Sequence, residues 1–118
     1  MTFEKWVDNN SAKVRPLLYI RKAGMLSWSV GARKKWELDR FKFVVVWYDP
    51  EMGRIGLEFL AVEMPSSYPI RNHSATPQIS CRSYLNFYDI RYKTNRKIEL
   101  RKHATRDDFY TAQLPSSK

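Results

Sequence analysis

The sequence predicts an α+β fold in a single domain, with antiparallel strands and tight turns around one short helix in the N-terminal half. Three observations carry this. Phe41–Tyr48 is a β-branched and aromatic run with Lys42 as its only charge. Asp49-Pro50-Glu51-Met52-Gly53 is a reverse turn: Asp suits its first position, Pro pre-sets φ, and Gly supplies the left-handed exit. Arg54–Leu60 follows with Ile55, Leu57 and Phe59 alternating, as a return strand requires. The chain has 118 residues, of which 43% are hydrophobic, which suits one domain with a real core and excludes general disorder.

Taken in order, residues 1–13 have no clear period, although Phe3, Trp6 and Val7 could form a docking helical turn. Val14–Lys22 reads as a strand that ends at the basic pair Arg21-Lys22, Ala23-Gly24 as a turn, and Met25–Trp28 as a second strand. Ser29 is placed to cap a helix over Val30–Trp36, with Ala32 and Trp36 on its buried side and Arg33, Lys34 and Lys35 toward its C-terminus. Both faces of Phe41–Tyr48 are largely apolar, so the strand is expected to be covered on both sides, by a partner subunit if one short chain cannot do so. The proline-bearing segment 63–78 reads as a long loop that divides a hairpin half (14–62) from a region holding a helix and a short β element (79–114). Ile79–Ile90 reads as an amphipathic helix with Cys81, Tyr84, Leu85 and Tyr88 on one face. Ile98 and Leu100 suggest an exposed strand within Tyr92–Lys102, Asp107-Asp108 a turn, and Phe109–Leu114 a last strand. No internal repeat is visible.

The formal net charge is +9. A balance this basic concerns partners rather than fold, and phosphate backbones are the commonest such partner. Residues 13–42 hold nine Lys/Arg against two Asp/Glu, and residues 82–106 hold eight against two. The bland alternative is that these charges only solvate exposed faces. Aromatic residues, 14% of the chain, interleave with the cations at 36–43 and 84–92, a pattern that single-strand binders share, although core packing accounts for it as well.

Catalysis is hard to build from this sequence. The four glycines are scattered, so there is no phosphate-cradling loop, and no serine sits in a nucleophile elbow. One cysteine and two distant histidines (His73, His103) do not make a zinc site. Neither an enzyme nor a cofactor nor a metal is expected, and Cys81 reads as a buried structural thiol. A histidine-based nuclease is the remote catalytic alternative. MTFEKWVDNN lacks an apolar signal core, and the longest apolar run, Phe43–Tyr48, is too short to span a bilayer. A cytoplasmic location is expected.

Residues 21–60 resemble the AbrB-like swapped-hairpin family of transition-state regulators and antitoxins. Arg21-Lys22 matches the family's basic lead-in, Gly24 its glycine, and Leu26 and Trp28 its apolar positions. Arg33 and Lys34 match the basic pair of its helix, and Trp36 and Leu38 stand at its Leu and Ile. Phe43–Leu60 matches its hairpin. Met25 stands where Arg or Lys is usual, Ser29 where Pro is, and Glu37 where Gly is. The layout of the whole chain is also similar to small uncharacterised bacterial proteins.

The resemblance implies a swapped-hairpin β-barrel in the N-terminal half, an intertwined homodimer, and DNA binding by basic residues of hairpin loop and helix. A DNA-binding transcriptional regulator or antitoxin-like repressor is therefore the leading expectation, with contacts from Arg21, Lys22, Arg33, Lys34 and Lys35, and a second electrostatic contact from the segment Arg91–Lys102, Arg96 and Lys97 above all. An interaction protein or inhibitor that takes an acidic protein partner, or an RNA or single-strand binder, is the alternative. No membrane partner is expected.

Overall fold

The computed structural model describes residues 15–73 and 76–115, apart from the His73 side chain. The chain is mostly antiparallel β structure. Its strands are β1 (Leu17–Arg21), β2 (Met25–Trp28), β3 (Phe43–Asp49), β4 (Arg54–Leu60), β5 (Ser67–Pro69), β6 (Arg71–His73), β7 (Thr76–Ser80), β8 (Arg96–Lys102) and β9 (Phe109–Gln113). Two short helices, α1 (Val30–Trp36) and α2 (Arg82–Phe87), and a 3-10 turn at Leu38–Arg40 complete the described residues. The strands pair in the order β5-β3-β4-β9-β8-β1-β2-β7-β6. The strands at the two ends of that order, β5 and β6, are separated in the chain by Ile70 alone, so the sheet curls into a nearly closed barrel.

The barrel follows from the period-two pattern. Leu18 and Ile20, Leu26 and Trp28, Ile55, Leu57 and Phe59, Ile98 and Leu100, and Tyr110 and Ala112 all point inward and are buried. Cross-strand partners join them into one belt: Leu18 faces Trp28 and Ile98, Leu26 faces Ile79, and Leu57 faces Val46 and Tyr110. Burying each large side chain contributes roughly 1.5–3 kcal/mol. The helix read at Val30–Trp36 has the expected bounds, and Ser29 Oγ accepts from Ala32 N at 3.2 Å. The same hydroxyl accepts from Leu17 N at 2.9 Å and donates to the Arg15 carbonyl at 2.8 Å, so it ties the start of β1 to the helix.

Four readings change. Segment 63–78 is not a loop, because it contains β5, β6 and the start of β7. Its prolines mislead because Pro69 closes β5 and Pro77 lies one residue into β7, positions near strand ends that tolerate a missing N–H. The helix read at Ile79–Ile90 is confined to α2, because Ile79 and Ser80 pair with Leu26 and Met25 as part of β7. The strand in Tyr92–Lys102 is β8, and its Ile98 and Leu100 are buried rather than exposed. In the single chain, β3 is covered on its inner face by Val44 packing, while on the outer face Trp47 is 46% exposed. The readings of residues 1–13 and of Val14 lie outside the described residues.

The pairing also contains a repeat that the sequence hides. Each half runs strand, helix, hairpin: β2-α1-β3-β4, then β7-α2-β8-β9. β2 pairs with β7 and β4 with β9, each with its own counterpart. The leading strand β1 pairs with β8 of the second half, and the bent β5–β6 strand pairs through β5 with β3 of the first. Local geometry repeats as well. Glu37 and Asp89 both take left-handed φ (51° and 56°) after their helices and are followed by the buried Leu38 and Ile90. Gly53 and Asp108 (66° and 56°) both precede a returning strand.

Two turns generate predictions. A Cβ on Gly24 (φ +81°) would meet Arg82 Cβ at 2.6 Å and Arg82 Cα at 2.8 Å, whereas one on Gly53 (φ +66°) would find nothing nearer than 3.9 Å. Gly53→Ala should cost about 1–2 kcal/mol of backbone strain. Gly24→Ala should cost about 1–3 kcal/mol more from overpacking. Urea unfolding of both variants measures the difference, and equal losses would contradict the contact. At the β3–β4 turn, Arg54 and the N–H groups of Met52 and Glu51 hold the Asp49 carboxyl below its ordinary value of 3.8. A depressed folded pKa contributes stability that is present above the unfolded pKa and lost as pH falls through the folded one. The Tm gap between wild type and Asp49→Asn should therefore be open near neutral pH and shrink below about pH 4.

Candidate nucleic-acid interface

The cations gather around the turn that joins β1 to β2. Lys22, Ala23 and Gly24 form it, with Gly24 N donating to the Arg21 carbonyl at 3.2 Å and positive φ at both Ala23 and Gly24. Because Gly24 has no side chain, the start of α2 lies directly on it. Cys81 N donates to the Gly24 carbonyl at 3.0 Å, and Arg82 Nε donates to the Ala23 carbonyl at 3.4 Å. Lys22 N donates to Asn95 Oδ1 at 3.0 Å, which draws in the segment before β8. An Arg96 guanidinium N–H donates to the Arg91 carbonyl at 3.1 Å, folding that segment back on itself. Three distant parts of the chain thus bring Arg21, Lys22, Arg82, Arg91, Lys93, Arg96 and Lys97 to one end of the barrel.

Their directions differ. Lys97 lies opposite Tyr19 on β1 and shares its outward face with Arg21. The Arg21 guanidinium lies 4.9 Å from the Tyr19 ring centroid, and Arg21 Nε donates to Ser27 Oγ at 3.0 Å. Continuing that rung across the sheet through Ser27 and Gln78 leads to Arg71. Arg96 lies opposite the inward Ile20 and lines a cleft of about 680 Å³ with Tyr48, Met52, Asp89, Arg91 and Gln113.

Of the residues expected to contact nucleic acid, Arg21, Lys22, Arg96 and Lys97 come together. Arg33, Lys34 and Lys35 do not join them. The β1–β2 hairpin carries α1 at its far end, beyond the Leu18–Trp28 pair, while Arg21 pairs with Met25 beside the turn. Arg33 is also held by Asp39 through bonds of 2.8 and 3.1 Å. Arg82 escapes the sequence reading, whereas Arg91 and Lys93 fall within the segment Arg91–Lys102 expected to add a second contact. Their segment is visibly basic, but only the contact of α2 with Gly24 and the Lys22–Asn95 bond show where it goes. The ion pairs among the described residues engage Arg33, Arg40, Arg54, Arg101 and Arg106. The seven cations at the turn end form none of them, and of the seven only Arg91 and Arg96 share a cleft with carboxylates, those of Glu51 and Asp89.

The other reactive groups are occupied in structure. Burial pushes the Cys81 thiol up to about 12 and holds it protonated. Burial also raises Tyr84, whose hydroxyl donates to the Trp47 carbonyl at 2.6 Å. His103 Nδ1 accepts from the N–H groups of Thr105 and Arg106, both at 3.2 Å. Among the described residues, no three His, Cys, Asp or Glu side chains come together as metal ligands, and no helix is long and apolar enough to cross a membrane.

A thiol this buried should resist a disulfide reagent in the native protein at pH 8 and react fully once the chain is unfolded in guanidinium. Rapid native labelling of Cys81 would contradict its place in the core. No protein-family model, curated protein or solved structure matches the chain.

Proposed function

We propose that this chain is a DNA-binding protein, a transcriptional regulator or antitoxin-like repressor, that takes the phosphate backbone at the turn end of the barrel. The observation that carries this reading is the gathering of Arg21, Lys22, Arg82, Arg91, Lys93, Arg96 and Lys97 with no carboxylate paired to them among the described residues. Cations held this way neutralise phosphates and release counterions, so affinity comes mainly from that term.

The resemblance to the swapped-hairpin family supports the same reading. Glu37, at the position where that family carries Gly, has a φ of 51°, the region glycine favours. The exchange of leading strands between the halves supports it too, because the resemblance implies such an interleaving of hairpins between two chains. In this reading one chain supplies both halves. The barrel then closes without the homodimer partner, and a second copy would meet the outer face of β3 at Trp47.

Fluorescence anisotropy with labelled DNA at two salt concentrations tests the proposal. Affinity should fall steeply with salt, and Lys22→Ala or Lys97→Ala should each reduce the slope of log K against log salt by about one. Lys34→Ala with Lys35→Ala should change it less. Undetectable or salt-independent binding would defeat the proposal.

An acidic protein partner is the second reading. It is favoured by Met25 at a position where the family carries a cation and by the exposed apolar residues Trp47 and Met64. A pull-down that returns a protein and no nucleic acid would decide for it.

A further inference from the structure

We infer that the strand bound at the turn end is unpaired DNA, stacked on the aromatic rim of the cleft beside Arg91 and Arg96. This rests on the DNA-binding part of the reading above and gives it a single strand, not a duplex operator, as its ligand. Tyr48 forms part of the cleft wall, and its ring lies 4.5 Å from that of Tyr88, tilted by 37°. Tyr88 in turn lies 4.9 Å from Phe87, edge to face. Phe87 is 80% exposed and Tyr88 36% exposed, whereas the other large aromatics among the described residues, Trp47 apart, are buried or half-buried. Asp89, Ile90 and Arg91 lead directly from this pair into the cleft. The three rings therefore run in contact from solvent to the wall of the cleft that Arg91 and Arg96 also line.

Phe87 has no polar atom to offer a phosphate, and in a duplex the faces of the bases are already stacked on each other. What can cover an exposed ring beside cations is a base whose π-face is free. Successive unpaired bases on such rings, with the backbone tracked by cations, make a sequence-tolerant single-strand site. The cleft also contains Glu51 and Asp89, which balance Arg91 and Arg96 in number. The positive surplus lies on the approach, at Lys22, Lys93 and Lys97. A backbone would therefore follow that approach while its bases turn toward the rings. In the first half Trp36, the counterpart of Tyr88, packs with its ring 4.5 Å from Tyr110, and Lys35 stands where Phe87 does, so the exposed ring exists on one half only.

The test uses the full chain with a labelled oligo-dT, a mixed-sequence single strand and the corresponding duplex, read by anisotropy, with thermal unfolding of each variant alongside. Single strands should bind at least about tenfold tighter than duplex. Phe87→Ala should weaken single-strand binding between about fivefold and a hundredfold at unchanged Tm. Its duplex affinity should stay as it was. Phe87→Trp should retain affinity, with its fluorescence quenched on binding. A duplex bound as tightly as the single strands, or single-strand affinity unchanged in Phe87→Ala, would overturn this inference and leave DNA binding standing. Absence of binding to either form would defeat both.

Discussion

The structure depends on one constraint, which is that the two ends of its sheet are neighbours in the chain. β5 and β6 are consecutive apart from Ile70, yet they pair at opposite ends of the strand order. Ile70 N donates to the Lys42 carbonyl at 2.9 Å, which carries the β5–β3 ladder to the bend itself. A sheet whose ends are one residue apart must curl, and curling encloses one face of every strand. That closure explains why short strands of four to seven residues elsewhere in the sheet can bury Leu18, Ile20, Leu26, Leu57 and Leu100 so fully. It also reduces the open edges through which a β protein would otherwise associate.

Once the inside is apolar and closed, the charges have only the outside and the two ends. The carboxylates are spent at one set of places: Asp39 on Arg33, Asp49 on Arg54, Glu58 on Arg106, Glu99 on Arg101 and Asp108 on Arg40. These are exposed pairs that contribute little to stability one by one. Their effect is on the field. They cancel charge around β3, β4, β8, β9 and α1, and at the turn end they leave Arg21, Lys22, Arg82, Lys93 and Lys97 without a paired carboxylate. The distribution of acids, more than that of bases, therefore makes one end of the barrel positive.

Much of the first half was legible because its signals are local. The cap at Ser29, the turn over Asp49–Gly53 and the alternation in Arg54–Leu60 each act within a few residues, and each is found where the sequence puts it. The second half was hidden because its strands are defined by distant partners. Thr76–Ser80 is a strand because Leu26 and Met25 lie beside it, and Pro77 and the Cys81, Tyr84, Leu85 spacing point elsewhere. The same holds for the candidate site. Arg21, Lys22, Arg96 and Lys97 could be picked from charge runs. Arg82 could not, since its place depends on Gly24 lacking a side chain fifty-odd residues earlier.

The repeat was invisible for a related reason. What the two halves share is backbone: a helix that ends in a left-handed residue, then a buried aliphatic, then a hairpin. The side chains on that backbone have separate tasks. Glu37 and Asp89 keep the φ but not the surroundings, and Ser29, which ties α1 to β1, has no counterpart hydroxyl bond at the start of α2. The halves also differ at their helix ends. α1 presents cations, one of them tied to Asp39, and tucks its aromatic against Tyr110. α2 presents Phe87 and Tyr88 to solvent beside a cleft. A fold with two equivalent ends would offer two equivalent sites. This one keeps the symmetry where the barrel closes and loses it at the helix ends, beside the site proposed above.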